Sequence, residues 1–194
     1  MKKHILICIL STCITFCSLA QINYEWVKGI GTSNGDLGTA LAVDDTGNVY
    51  ITGFLGNGTA NFNPFGGAVV SLPSEQSADC FFAKYNDGGN LLWARSFQPT
   101  NGGNVSGVAI TVSHTGDVFI AGAFDGTVDF DASLSASTSL TSIGGGDAFL
   151  VKYNNAGLFQ WVKYFGGSNL ELAKSVVVDK NDSAVYIAGY YESA

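Results

Sequence analysis

Apolar and polar residues alternate in short runs along most of this chain, and the runs return in register. Tyr24-Glu25-Trp26-Val27-Lys28 recurs as Leu91-Leu92-Trp93-Ala94-Arg95 and as Phe159-Gln160-Trp161-Val162-Lys163, with the tryptophans 67 and 68 residues apart. Thr46-Gly47-Asn48-Val49-Tyr50-Ile51-Thr52-Gly53 returns as Thr115-Gly116-Asp117-Val118-Phe119-Ile120-Ala121-Gly122, and in weaker form as Ala184-Val185-Tyr186-Ile187-Ala188-Gly189. Asp79-Cys80-Phe81-Phe82-Ala83-Lys84-Tyr85 matches Asp147-Ala148-Phe149-Leu150-Val151-Lys152-Tyr153, and each aspartate precedes its tryptophan by 14 residues. Three motifs in one register identify an internal repeat.

Each unit predicts four strands. The first is small and β-branched: 40–43, 108–112 and 175–178. The second spans 49–54, 118–124 and 185–191. The third spans 80–85 and 148–153, and the fourth, carrying the tryptophan, 91–97 and 158–165. Such β-branched or aromatic runs, bounded by Gly, Asn and Asp, are the pattern of antiparallel strands. Asn86-Asp87-Gly88-Gly89 and Asn154-Asn155-Ala156-Gly157 read as hairpin turns, because Gly and Asn tolerate positive φ. No stretch holds a helical period. A four-stranded antiparallel unit repeated head to tail predicts an all-β protein built of β-propeller blades, with a solenoid as the lesser alternative. Ala40, Ala42, Gly107, Ala109 and Ala173 are small enough for innermost strands that crowd a central axis.

The segments Asp44-Asp45-Thr46-Gly47-Asn48-Val49-Tyr50-Ile51-Thr52-Gly53, Asp147-Ala148-Phe149-Leu150-Val151-Lys152-Tyr153 and Trp161-Val162-Lys163-Tyr164-Phe165-Gly166-Gly167 resemble the bacterial β-propeller repeat family abbreviated SBBP. The resemblance runs from Trp26 to about Tyr191. It implies a secreted or surface location and a binding or structural role, and it brings no catalytic residues. The expected organisation is a leading ring-closing strand at 24–30, a blade at 38–97, a second at 107–165 and half a blade at 173–191, eleven strands in all. A closed propeller needs at least about four blades. An incomplete ring of about two and a half blades is therefore expected. It implies a piece of a longer protein, or a ring completed by self-association, with 184–191 left as an exposed edge.

The first twenty residues break the pattern. Lys2 and Lys3 precede an apolar run from Ile5 to about Leu19, and Ser18-Leu19-Ala20 supplies small residues before Gln21. This predicts a signal peptide over 1–20, removed from a propeller region at 21–194. The run is short for a membrane span, which needs roughly 20 apolar residues. Cys13 and Cys17 raise a lipoprotein alternative, but Phe16 is a poor residue to precede a lipidated cysteine. Cleavage removes Cys8, Cys13 and Cys17. Cys80 then remains alone, so no internal disulfide staples the fold, and its place in an apolar strand predicts a buried thiol. The whole chain carries nine basic and sixteen acidic residues. Without Lys2 and Lys3 the balance is seven against sixteen, a net of −9, which disfavours nucleic acid and anionic membranes as partners.

Candidate chemistry is sparse. His114 is the one histidine after cleavage, and it stands in a turn where the first unit has Asp45, which predicts a solvated turn residue rather than a catalytic base. Gly126-Thr127-Val128-Asp129-Phe130-Asp131 matches Gly58-Thr59-Ala60-Asn61-Phe62-Asn63. Alternate residues of an extended segment share a face, so Asp129 and Asp131, with Asp125, are candidate Ca²⁺ ligands. The competing reading is that Asp and Asn here bind their own backbone in turns. A glycosidase pair is disfavoured because the first unit has amides at these positions. The glycine runs at 29–31 and 144–146 lack the Lys-Ser/Thr and the helix of a nucleotide loop. The glycosylation sequons at Asn57, Asn104 and Asn181 are discounted because the signal has a bacterial character. Trp26, Trp93 and Trp161 could stack on a sugar, but their strict recurrence favours a repeated core role. With no catalytic set and no cofactor apart from that calcium candidate, the expected function is a non-enzymatic extracellular or cell-surface scaffold that binds a protein or a glycan. The alternative is a propeller-type polysaccharide lyase or hydrolase using acidic residues.

Overall fold

The computed structural model describes residues 25–192, apart from 65, 67, 75–77, 98, 101 and 134. The signal segment and Tyr24 lie outside the described residues. The described residues form fifteen strands and no helix, and no helix is long and apolar enough to cross a membrane.

Two four-stranded antiparallel sheets and one two-stranded sheet carry the repeat. Blade 1 is ordered β1 (Leu37–Val43), β2 (Val49–Leu55), β5 (Asp79–Tyr85), β6 (Leu91–Phe97). Blade 2 is ordered β8 (Val105–Val112), β9 (Val118–Phe124), β12 (Asp147–Tyr153), β13 (Phe159–Phe165). The half blade pairs β14 (Glu171–Val178) with β15 (Val185–Tyr191). Within each blade the first and second strands, and the third and fourth, are joined by tight turns, such as those closed at Gly89 and Gly157, both at positive φ. The innermost strands β1, β8 and β14 lie side by side, as blades around an axis require. Their small residues are needed there: a Cβ on Gly107 would lie 2.3 Å from Thr52 Oγ1 and 2.8 Å from Cys80 Sγ. Thr39 Oγ1 donates to Gly107 O at 2.6 Å and ties β1 to β8.

Three hydrophobic clusters alternate with the blades. Ile51, Phe62, Phe81, Ala83 and Tyr85 pack on the outer side of blade 1, with Trp26 and Ile30 against them. Tyr50, Cys80, Phe82 and Phe97 of blade 1 meet Ile120, Phe124, Phe149 and Tyr153 of blade 2. Ala109, Phe119, Ala121 and Leu150 of blade 2 meet Ala173 and Val176 of the half blade. Successive residues of one strand, such as Phe81 and Phe82, thus enter different clusters, the consequence of a sheet buried on both faces.

The structure departs from the expected eleven strands in two ways. First, residues 25–32 form no strand, so the described part of the leading segment makes no sheet of its own. A strand needs a hydrogen-bonding neighbour, and among the described residues no strand pairs with this segment. Second, each blade carries a small hairpin between its second and third strands. These are β3 (Gly58–Asn61) with β4 (Ser71–Ser74), and β10 (Thr127–Asp129) with β11 (Ser139–Thr141) and β7 (Pro99–Thr100). The hairpins insert Phe62 and Phe130, both fully buried. Tyr85 Oη donates to Phe62 O at 2.8 Å, and Tyr153 Oη donates to Phe130 O. Cys80 is fully buried, and burial pushes its thiol up to about 12.

Candidate functional site

The acidic residues singled out for calcium sit in and beside the blade 2 hairpin, and each accepts hydrogen bonds from nearby backbone amides. Asp129 Oδ1 accepts from Asp131 N at 3.0 Å and Thr138 N at 2.8 Å. Asp131 Oδ1 accepts from Ser133 N at 3.0 Å. Asp125 accepts from Asn104 N at 2.7 Å and Asn104 Nδ2 at 3.1 Å. Among the described residues no three His, Cys, Asp or Glu side chains gather where they could hold a metal ion. The two donors to Asp129 Oδ1 hold the hairpin in shape.

A second set of carboxylates, not marked out by the sequence, does the same work at the blade entrances. Asp36 Oδ2 accepts from Thr32 N at 2.7 Å, and Glu171 Oε2 accepts from Gly167 N at 2.8 Å. Thr32 and Gly167 each lie six residues after a repeat tryptophan, and each acid lies four residues further on. In blade 2 the same count from Trp93 reaches Pro99, which has no N–H, and Gly103, which has no side chain; Val105, which opens β8 as Glu171 opens β14, is fully buried and apolar. Donor and acceptor are lost together, as the cost of an unpaired buried carboxylate demands. Asp147 is also fully buried and accepts from Ile143 N at 3.1 Å.

The seam between blades holds the densest polar cluster. Trp93 Nε1 donates to Asn155 O at 3.0 Å, across the β12–β13 turn. The ring lies over Gly157, where a Cβ would come within 3.0 Å of the indole. Trp26 repeats this contact: Nε1 donates to Asp87 O at 2.8 Å, and a Cβ on Gly89 would come within 2.8 Å of its ring. Lys84 Nζ donates to Asn155 Oδ1 and lies 3.8 Å from Asp44 Oδ2 and 4.9 Å from the Tyr50 ring centre. Burial lowers the Lys84 ammonium, against the pull of Asp44. Burial would raise the Asp44 carboxyl, but hydrogen bonds from Asn48, Thr46 and Tyr50 outweigh it and hold the group well below the usual carboxylate range. Burial and the Asp44 charge raise the Tyr50 phenol. Trp26 and Trp93 are thus joints between successive segments of the repeat, a repeated structural role of the kind their recurrence suggests.

At one end of the inner strands the three first turns meet. His114 Nδ1 lies 2.6 Å from Asp45 Oδ2, and the His114 and Thr115 amides donate to Asp182 at 3.2 and 3.1 Å. The imidazole remains more than half exposed, at 58%. Its hydrogen bond to Asp45 and the charges of Asp45 and Asp182 raise its pKa. His114 is a turn residue, as its position predicts, and also an ionic tie between blades. No Ser or Cys nucleophile stands against it among its hydrogen-bond partners.

Comparison with known proteins agrees with this architecture. The family model described as a beta-propeller repeat matches residues 25–54. The chain is 27% identical, over 86% of its length, to an uncharacterised WD repeat-containing protein, L264, of Acanthamoeba polyphaga mimivirus. It is 30% identical, over 62% of its length, to the regulatory protein FlaEY of Caulobacter vibrioides. The chain covers 13% and 12% of these two relatives, about an eighth of each. The likeness is that of a repeat scaffold.

Proposed function

We propose that the protein is a non-catalytic binding or scaffold module that works outside the cell or on its surface. The observation carrying this reading is the use made of the acidic residues. Asp36, Asp44, Asp125, Asp129, Asp131 and Glu171 all accept hydrogen bonds from the backbone or from neighbouring side chains that shape turns and seams. A general acid or base must instead face a substrate with a free lone pair or proton. The repeat-protein relatives and the net negative charge support a surface that binds rather than reacts. Export rests on the 1–20 segment, with cleavage before Gln21.

Two measurements test this. N-terminal sequencing of the protein recovered from the medium or cell surface is expected to begin at Gln21, and recovery of an intact Met1 terminus from the cytoplasm overturns the location. Incubation with a panel of polysaccharides is expected to give no new reducing ends or unsaturated products. Turnover abolished by Asp129→Asn overturns the non-catalytic reading.

A further inference from the structure

The seam between blades 1 and 2 shows what each half of a blade-to-blade joint consists of, and blade 2 carries the donor half a second time. Phe97, Trp93 and Lys84 of blade 1 are covered by blade 2: Phe97 packs at 5.2 Å from Phe130 and 5.7 Å from Phe149, Trp93 bonds Asn155 O, and Lys84 bonds Asn155 Oδ1. The same repeat positions in blade 2 are Phe165, Trp161 and Lys152. Phe97 is 1% exposed and Phe165 48%. Trp161 Nε1 has no hydrogen-bond partner among the described residues. Lys152, without an amide across from it, falls back on Asp117 at 2.7 Å. Phe165 forms one wall of a shallow apolar groove with Ala148, Ile187, Gly189 and Tyr191. The groove continues the established seam, and β15 beside it has an unpaired edge among the described residues.

We infer that this face docks the third-and-fourth-strand hairpin of a further repeat unit, additional to those of the described chain. The chemistry of the occupant follows from the seam already formed. It carries a phenylalanine placed like Phe149 to cover Phe165. Its turn has an Asn or Asp second residue, whose carbonyl takes the Trp161 N–H and whose side chain takes Lys152. It has a glycine at the turn's fourth position, because the indole leaves no room for a Cβ. Its first strand pairs with β15. A second copy of this chain does not supply these parts. Its two hairpin turns are already covered by its own Trp26 and Trp93.

The test extends the chain. A second copy of residues 125–167 is joined directly after Tyr191, so that strand, strap hairpin and turn follow β15 as they follow β9. The readouts are hydrogen exchange of the β15 amides and of the Trp161 indole N–H, the latter assigned with Trp161→Phe. Both are expected to slow by at least about tenfold relative to the unextended chain. Gly157→Val in the added copy alone is expected to return the Trp161 indole to the rate of the unextended chain. A second extension built from residues 56–99 is expected to give the same protection. The proposal is overturned if neither extension protects Trp161 and β15. It is equally overturned if the unextended chain forms a dimer in which they are already protected.

Discussion

Phe97 and Phe165 occupy the same place in successive blades, yet one is sealed between two sheets and the other is half in solvent. The same contrast holds for Trp93, bonded across the seam at 3.0 Å, and Trp161, bonded to nothing described. Lys84 and Lys152 differ likewise, with side chains 6% and 24% exposed. The residues are alike, so the difference lies in the neighbour. Each unit contributes the donor half of one joint and the acceptor half of another. A side chain's worth to stability is therefore decided by the next blade rather than by its own.

The blade entrances offer the sharpest way to break this comparison. Val105→Asp buries an acid at the start of β8, in the place that Glu171 holds at the start of β14. A buried carboxylate without a donor is expected to cost about 3–5 kcal/mol, read as a lower urea midpoint. A loss no greater than that of Val105→Ala would mean that the fold can supply a carboxylate there with donors.

The paired phenylalanines come next. Phe97→Ala should cost about 3–5 kcal/mol, against about 0.5 kcal/mol or less for Phe165→Ala in the unextended chain. Equal losses would show that the face at Phe165 is covered in solution.

Trp93→Phe removes a seam hydrogen bond and should cost about 1 kcal/mol beyond its lost apolar area. Trp161→Phe should lack that part of the loss, and a double-mutant cycle with Gly157→Ala would report coupling for Trp93 alone.

Charge gives the smallest effects, and their signs differ. Asp44 has a lowered folded pKa, so its contribution is present above the ordinary carboxylate value of 3.8. It is lost as pH falls below that value toward the folded one. The stability gap between the wild-type protein and Asp44→Asn should therefore narrow only in acid. His114 has a raised folded pKa, so its contribution is complete below the ordinary 6.5 and fades as pH rises through the folded value. The melting-temperature difference from His114→Gln should shrink toward alkaline pH, and a difference that grows instead would place the Asp45 contact elsewhere in the ionic balance.

Much of this fold was legible in the residues. Recurrence of Trp26, Trp93 and Trp161, and of the Asp79 and Asp147 motifs, located the blade strands to within about four residues, because a period of two reports which side chains share a sheet face. The small hairpins were less legible. Their strands are three or four residues long, and the recurring Phe62 and Phe130 that anchor them were overshadowed by the oxygens of Asn61, Asn63, Asp129 and Asp131. Those oxygens are candidate metal ligands because alternation places them on one face. Alternation does not tell that the Thr138 amide, nine residues away, donates to one of them. Asp36 and Glu171 carried no local signal, since their meaning depends on a backbone donor being Thr32 or Gly167 rather than Pro99.

By itself the amino-acid sequence determined the repeat, its four-strand unit, the turns and the small inner strands, all of which follow from local periodicity and from the conformational freedom of Gly and Asn. Only the tertiary structure decided which of two equivalent aromatics is buried, where each carboxylate spends its lone pairs, and that residues 25–32 stand beside blade 1 without forming a strand. Burial and hydrogen-bond satisfaction belong to pairs of groups far apart in the chain, and a pattern along one strand describes only one member of each pair.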